Sequence, residues 1–378
     1  MAHAWCAEPA QVWYHCPSPC PGLGGLTSSR VTKTDLGDGR TTRERTEDRP
    51  VNSCRNEPLL IPLDSPAATL ERVGGKGASL ARLAAAGLPV PPGFHLSTLA
   101  YRRFVDENQL AGAILAAAAQ AKADEPAALD AASAQIQSLF AQSAIPADIA
   151  ALIRHSYDGL GADDPPVAVR SSATAEDLPG MSFAGQQETY LNVRGDADVL
   201  EAVKRCWASL WTARALGYRA RQGIRPEDVA LAVVVQQVVP ADAAGILFTA
   251  NPLTGARHQM VVNAAWGLGE AIVGGRVTPD TLIVNQQTGA VESQQIADKE
   301  VMTVRLAVGT HEEPVPAEKR RQPALSSQQA AELAQLGAHI ERLYGQPMDI
   351  EWALGDDRFF VLQARPITAL PEPPAALD

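Results

Sequence analysis

The chain has 378 residues, 46% hydrophobic and 20% charged, with a formal net charge of -11 at pH 7. That length can bury one large or two modest cores, and the acidic balance argues against a dedicated nucleic-acid surface. No apolar run reaches membrane-spanning length: the Ala-rich stretch 111–123 is short and holds Gln120 and Lys122.

Residues 1–56 differ from the rest of the chain. They are rich in Pro, Gly, Thr, Arg and Asp without periodicity, which predicts a disordered extension or a start site placed too early. No basic segment followed by an apolar one is present there, so no signal peptide is expected. Cys6, Cys16, Cys20 and Cys54 lie in this extension and only Cys206 lies in the body, which is not a disulfide framework. A reducing cytoplasm is the expected setting. His15, Cys16 and Cys20 fit no zinc spacing.

Order is expected from about Leu59. Glycines flank Lys76 in VGGKGASL, at the start of a helix with Leu80 and Leu83 on one face and Gly87 at its end. Such a helix start can hold an anion, or be a glycine-capped surface helix. It is not a Walker A loop, because the GxxxxGK spacing is absent. An extended piece is expected at 88–94, then a helix over 98–108 and Ala-rich helices over 110–160.

At 167–193 a short strand, 167–169, is expected to deliver Arg170 to a loop of small residues, with a second strand at 188–193. Strand, loop and strand can lay backbone N–H groups against a phosphate, which Arg170 could clamp with its planar fork. An ordinary hairpin with a surface arginine has the same pattern. Helix is expected over 196–222, with Trp207, Leu210, Trp211 and Leu216 in the core.

The apolar run 229–239 predicts a strand buried on both faces, interrupted by Gln236 and Gln237, which need partners or face a ligand. Strands at 246–249 and 260–263 precede WGLGE and Gly274-Gly275, a glycine density that fits either packing beside a cleft or a plain surface loop. A hairpin is expected over 282–295 and a polar loop over 309–324. Ser326 or Ser327 caps a helix with Leu333, Leu336, Ile340 and Leu343 on its apolar face, ended by Gly345.

The last strands, 348–354 and 358–365, join at a Gly-Asp-Asp turn. Alternation puts Asp349, Glu351 and Ala353 on one face, and Val361, Gln363 and Arg365 on one face of the second strand. If the faces coincide, a carboxylate, an amide oxygen and a guanidinium converge. Such oxygens suit Mg²⁺, and Arg365 could steady a transferring phosphoryl group. The alternative is a surface ion pair between Glu351 and Arg365.

VGGKGASL, AVRSSATAEDLPGMSFAGQQETYLNV, GILFTANPLTG, AWGLGEAIVGGRVTPD and DIEWAL…FFVLQARPIT together resemble the N-terminal nucleotide-binding part of the phosphoenolpyruvate synthase and pyruvate phosphate dikinase family, to which rifampin phosphotransferase is also similar. The resemblance runs from about Pro58 to Thr368. It implies an α+β, ATP-grasp fold whose two lobes, 57–240 and 241–370, sandwich ATP, with a tail at 371–378. It further implies that Lys76 and Arg170 hold phosphates, and that Gly185 and Thr189 contact the nucleotide. Gln236 would lie near the adenine, Glu351 and Gln363 would bind Mg²⁺, and Arg365 is the arginine of the terminal QxRP element.

Family members continue into a swivelling domain whose histidine, in a Gly-Gly-x-x-Ser-His setting, takes a phosphoryl group from ATP. A barrel or drug-binding domain accompanies it. None of His3, His15, His95, His155, His258, His311 or His339 has that setting. The expectation is a pyruvate, water dikinase-like half-reaction that phosphorylates a histidine on another chain, as in the two-subunit phenylphosphate synthases. An ATP-binding regulatory module and a degenerate remnant without turnover are the alternatives. No nucleic-acid or membrane partner is expected.

Overall fold

In the computed structural model, which describes residues 58–161, 163–174 and 188–371, the run 229–239 is apolar because its strand lies mid-sheet. This strand, β5 (Leu231–Gln237), pairs antiparallel with β2 (Gly93–Leu96) and β3 (Val167–Ala173). β1 (Leu60–Pro62) and β4 (Thr189–Val193) complete a five-stranded sheet ordered β1-β2-β5-β3-β4. Alternation sorts its side chains onto two faces. On one face Phe94, Leu96, Val167, Val169, Val233 and Val235 join a core with Tyr101, Phe104, Phe140 and Trp207. That core belongs to α2 (Thr98–Glu107), α3 (Ala111–Gln120), α4 (Pro126–Gln142), α5 (Ala147–Asp158), α6 (Asp196–Ser209) and α7 (Ala213–Gln222). Helix breaks between α6 and α7, where Thr212 caps α7 by accepting from the Ala215 amide.

The other face is covered by α1 (Leu70–Ala85), through Val73 and Ala81 on Ile61 and through Leu80 on Val234. His95 of β2 is buried on this side. Its Nε2 lies 3.2 Å from the Leu63 carbonyl, and its Nδ1 has no partner. Burial pushes its pKa down from 6.5 to about 4. The folded chain therefore keeps this imidazole neutral while the unfolded chain protonates it below about pH 6.5. Stability should fall by about 3 kcal/mol as pH drops from 6.5 to 4, at about 1.36 kcal/mol per unit. Chemical denaturation of His95→Leu across that window should lack this slope.

The second sheet is also antiparallel, ordered β13-β12-β6-β7-β8-β9. Its strands are β6 (Ala243–Phe248), β7 (Gln259–Trp266), β8 (Asp280–Asn285), β9 (Val291–Gln295), β12 (Met348–Gly355) and β13 (Arg358–Pro366). Leu247, Val262, Leu282 and Trp352 pack one face on Leu333 and Ile340 of α9 (Ser327–Tyr344). A capping box between Ser326 and Gln329 starts α9, and Gly345 ends it at φ 73°. Asp356 and Asp357, at φ 51° and 54°, make the two-residue turn from β12 to β13.

Part of the expected polar loop at 309–324 is strand. β10 (Val301–Arg305) and β11 (Thr310–Pro314) form a hairpin closed at Gly309, φ 73°. Thr-His-Glu-Glu-Pro has no apolar alternation, so local pattern could not reveal it. Before β10, a fully buried Lys299 donates to Asp280 Oδ1 at 2.6 Å, while the Ala324 amide donates to Asp280 Oδ2 at 2.8 Å. On β10 itself, Leu268 N–H donates to Thr303 O at 2.9 Å, fixing the hairpin on the WGLGE segment. The short α8 (Glu270–Val273) continues from that segment.

Among the described residues no single helix is long and apolar enough to cross a membrane.

Candidate functional site

The strand ladder brings the first group of residues together. Arg170 opposes Val234 of β5 and Thr189 of β4, while Ser172 opposes Ala232 and Ala168 opposes Gln236. Opposed residues of antiparallel strands share a face. Arg170, Ser172, Thr189 and Gln236 therefore all lie on the side that α1 covers. Arg170 itself sits in the middle of β3 rather than at the mouth of a loop. The strand runs on through Ser171 and Ser172 because both stay in the β5 ladder, and Ser171 and Glu188 exchange bonds through amide and hydroxyl at 3.0 Å each.

Ser172 also explains the glycines of α1. The helix breaks at Gly74, φ 70° and ψ 177°. A Cβ there would lie 2.4 Å from the Ser172 carbonyl oxygen, so only glycine lets helix and strand approach this closely. The Ser172 hydroxyl donates to Val73 O at 2.6 Å and accepts from Gly77 N–H at 3.1 Å. It staples both sides of the break to β3, and half-buried Lys76 rides on the turn between them. Burial pushes the thiol of Cys206 up, and the Lys76 charge opposes that rise.

The second group comes from β12 and β13. Glu351 opposes Gln363 and Asp349 opposes Arg365. A register shift beside Glu351 leaves Leu362 as an extra residue. The shift turns Val361 to the opposite face, into the core with Trp352; the expected common face of Val361, Gln363 and Arg365 is thus corrected. No ion pair joins Glu351 to Arg365. Arg365 instead donates Nε and Nη2 to Asp349 Oδ2, at 2.9 and 2.8 Å. Burial raises the pKa of Asp349, Arg365 lowers it, and the Glu351 charge raises it further. Sequence pattern placed Asp349 on this face without giving it a partner.

Arg170 links the two groups. Its Nη1 donates to Leu362 O at 2.9 Å, and its Nη2 lies 3.8 Å from Glu351 Oε2. Its Nε is buried without a partner. A guanidinium only 9% exposed, with one N–H unspent, stands beside a carboxylate whose strand partner is Gln363. The α1 helix makes a second link, since Ser79 Oγ donates to Ala364 O at 2.6 Å and Arg82 to Leu343 O at 2.6 Å.

Chemically, Glu351 and Gln363 offer hard oxygens side by side, with Asp349 two residue pairs away on the same face. No group of three or more His, Cys, Asp or Glu residues able to hold a metal occurs among the described residues. A cation here would complete its shell with water and ligand oxygens, which fits Mg²⁺. Gln236 is buried, its Nε2 3.3 Å from Pro91 O, beside Gly93 where the β2 backbone comes close to β5. Gly185 lies outside the described residues.

A family model described as "Pyruvate phosphate dikinase, AMP/ATP-binding domain" matches residues 70–376. The chain is 46% identical over 302 residues to "Probable phosphoenolpyruvate synthase" of Methanocaldococcus jannaschii, covering 79% of this chain and 25% of that protein. It is 43% identical to "Phosphoenolpyruvate synthase" of Pyrococcus furiosus, covering 79% of this chain and 42% of that one. With "Rifampicin phosphotransferase" of Streptomyces sviceus it shares 46% identity over 307 residues, 81% of this chain and 35% of that one. The chain thus spans between a quarter and less than half of these relatives.

Proposed function

The chain belongs to the pyruvate phosphate dikinase AMP/ATP-binding family, and on that premise we propose that it binds Mg·ATP between its two sheets, as an ATP-grasp domain does, and passes a phosphoryl group to a histidine on another domain. The observation that carries this reading is Arg170, buried on the first sheet and reaching Glu351 on the second. Lys76 and Arg170 would hold phosphate oxygens from one side, and Arg365, released from Asp349, from the other. Thr189 and Gly185 would flank the nucleotide, and Gln236 would lie near the adenine. Glu351 and Gln363 would hold Mg²⁺, which when bound supplies charge neutralisation on the phosphates. A histidine nitrogen forms the new N–P bond as the P–O bond to the leaving phosphate breaks, and the fixed cations absorb the charge that develops. The span of the relatives supports a need for further domains. The cysteine distribution supports a cytoplasmic setting.

Titration calorimetry with ATP, with and without Mg²⁺, tests the binding half. Wild type should bind Mg·ATP more tightly than free ATP. In Glu351→Gln that magnesium-dependent gain should shrink by about tenfold, the loss of one contact to a charged group. An unchanged gain would remove Glu351 from the metal site.

A further inference from the structure

Asn192 is fully buried, three residues along β4 from Thr189, with φ 52°. Asparagine tolerates this left-handed backbone, and it lies where the β3–β4 register shifts. Its side chain turns away from its own sheet. Nδ2 donates to Leu306 O at 2.8 Å and to Gly309 O at 2.6 Å, while Gly309 N–H donates to Asn192 O at 3.0 Å. Both carbonyls belong to the turn of the β10–β11 hairpin. The other end of that hairpin is held by the Asp280–Lys299 pair, and its middle by Leu268 on Thr303. Just past the turn, Thr310 Oγ1 donates to Glu270 Oε2 at 2.9 Å.

These contacts join the first sheet to the hairpin through one residue, by its side chain and its carbonyl. Arg170 and α1 join the first sheet to β13 separately. Among the described residues the Asn192 attachment is smaller than the one made by Arg170 and α1, whose Leu83 joins the core of the second sheet. It is also the one whose hairpin tip is exposed, with Leu306 50% and Val308 57% accessible. Small attachments with few buried apolar contacts open first.

We propose that Asn192 is a positioning residue, a latch that holds the β10–β11 hairpin against β4 and sets the rate at which nucleotide arrives at and leaves the cleft. The first half rests on the contacts alone; the second rests on the function proposed above. Asn192→Gly keeps the left-handed backbone and removes both side-chain bonds. Asn192→Asp keeps the shape, but its carboxylate faces two carbonyls without a donor.

Amide exchange at Gly309 in the nucleotide-free protein reads the latch directly. Both variants should speed it on the order of tenfold, with exchange in β5 unchanged. Stopped-flow release of a fluorescent ATP analogue should speed up similarly in both, while wild type stays slow. A merely structural role would leave release unaltered once stability is matched with urea. Unchanged exchange at Gly309 in the Asp variant would overturn the latch, even if the Gly variant failed to fold. Faster exchange with release within twofold of wild type would overturn its role in nucleotide passage. A wild-type chain that binds no nucleotide would sink the site reading together with that second half, while exchange at Gly309 would still decide the first.

Discussion

Arg170→Ala is expected to lower phosphoryl transfer by about 10³-fold or more, the scale of a transition-state arginine. Three features make this the most sensitive position. Arg170 stands in mid-strand, so its backbone cannot shift to compensate. Its guanidinium touches Leu362 O and Glu351 from the opposite sheet, so its loss also strands a carboxylate. Its Nε is already buried without a partner, and on the proposed reading it would take a phosphate oxygen. Arg170→Lys should recover little. An ammonium cannot keep the bond to Leu362 O, approach Glu351 and engage a phosphate together. Arg257→Ala, at an exposed arginine outside this cluster, should stay within twofold of wild type. Single-turnover kinetics with saturating ATP separates the effect on the chemical step from weaker binding. Equal rates for Arg170→Lys and wild type would show that only charge matters here.

Gly74→Ala should cost about 3–5 kcal/mol of stability and, where the variant folds, reduce ATP affinity at least tenfold. The backbone at φ 70°, ψ 177° belongs to a region that is nearly glycine's alone. The added methyl would meet both the carbonyl and the hydroxyl of Ser172 at 2.4 Å. Relief requires α1 to lift from β3. That breaks the Ser172–Gly77 bond and moves Lys76. Gly87→Ala is the matched control. It shares a positive φ of 74° but meets nothing within 4 Å, so it should cost about 1 kcal/mol and leave affinity unchanged. Thermal denaturation and calorimetry on the pair check both statements. Similar losses in the two variants would mean that backbone strain, and not the helix–strand staple, accounts for the glycine.

The residues of the candidate site were more legible in the sequence than their placement. Arg170, Glu351, Gln363 and Arg365 stand out as residue types at strand positions, and period-two alternation brings Glu351 opposite Gln363. What alternation cannot foresee is a bulge. Leu362 turns Val361 inward, and only the packing of Trp352 shows why. The serines after Arg170 read as loop because serine favours turns; their hydroxyls instead join α1 and Glu188 to the strand. The β10–β11 hairpin was hidden for a different reason. It is held by tertiary bonds from Asn192 and Leu268, partners far away along the chain in each case, and no local propensity encodes those.

The most direct measurement is incubation of the purified chain with Mg·ATP labelled separately in the β and γ positions, alone and with an isolated histidine-carrying domain from a related dikinase. AMP, ADP, phosphate and phosphohistidine would be resolved at each time point. Phosphohistidine should form on the added domain, with nucleotide turnover stimulated by that domain and abolished in Arg170→Ala. The label retained identifies the phosphate transferred. Tight Mg·ATP binding with no transfer to any such domain would rule out phosphotransfer to histidine and leave a nucleotide-binding module.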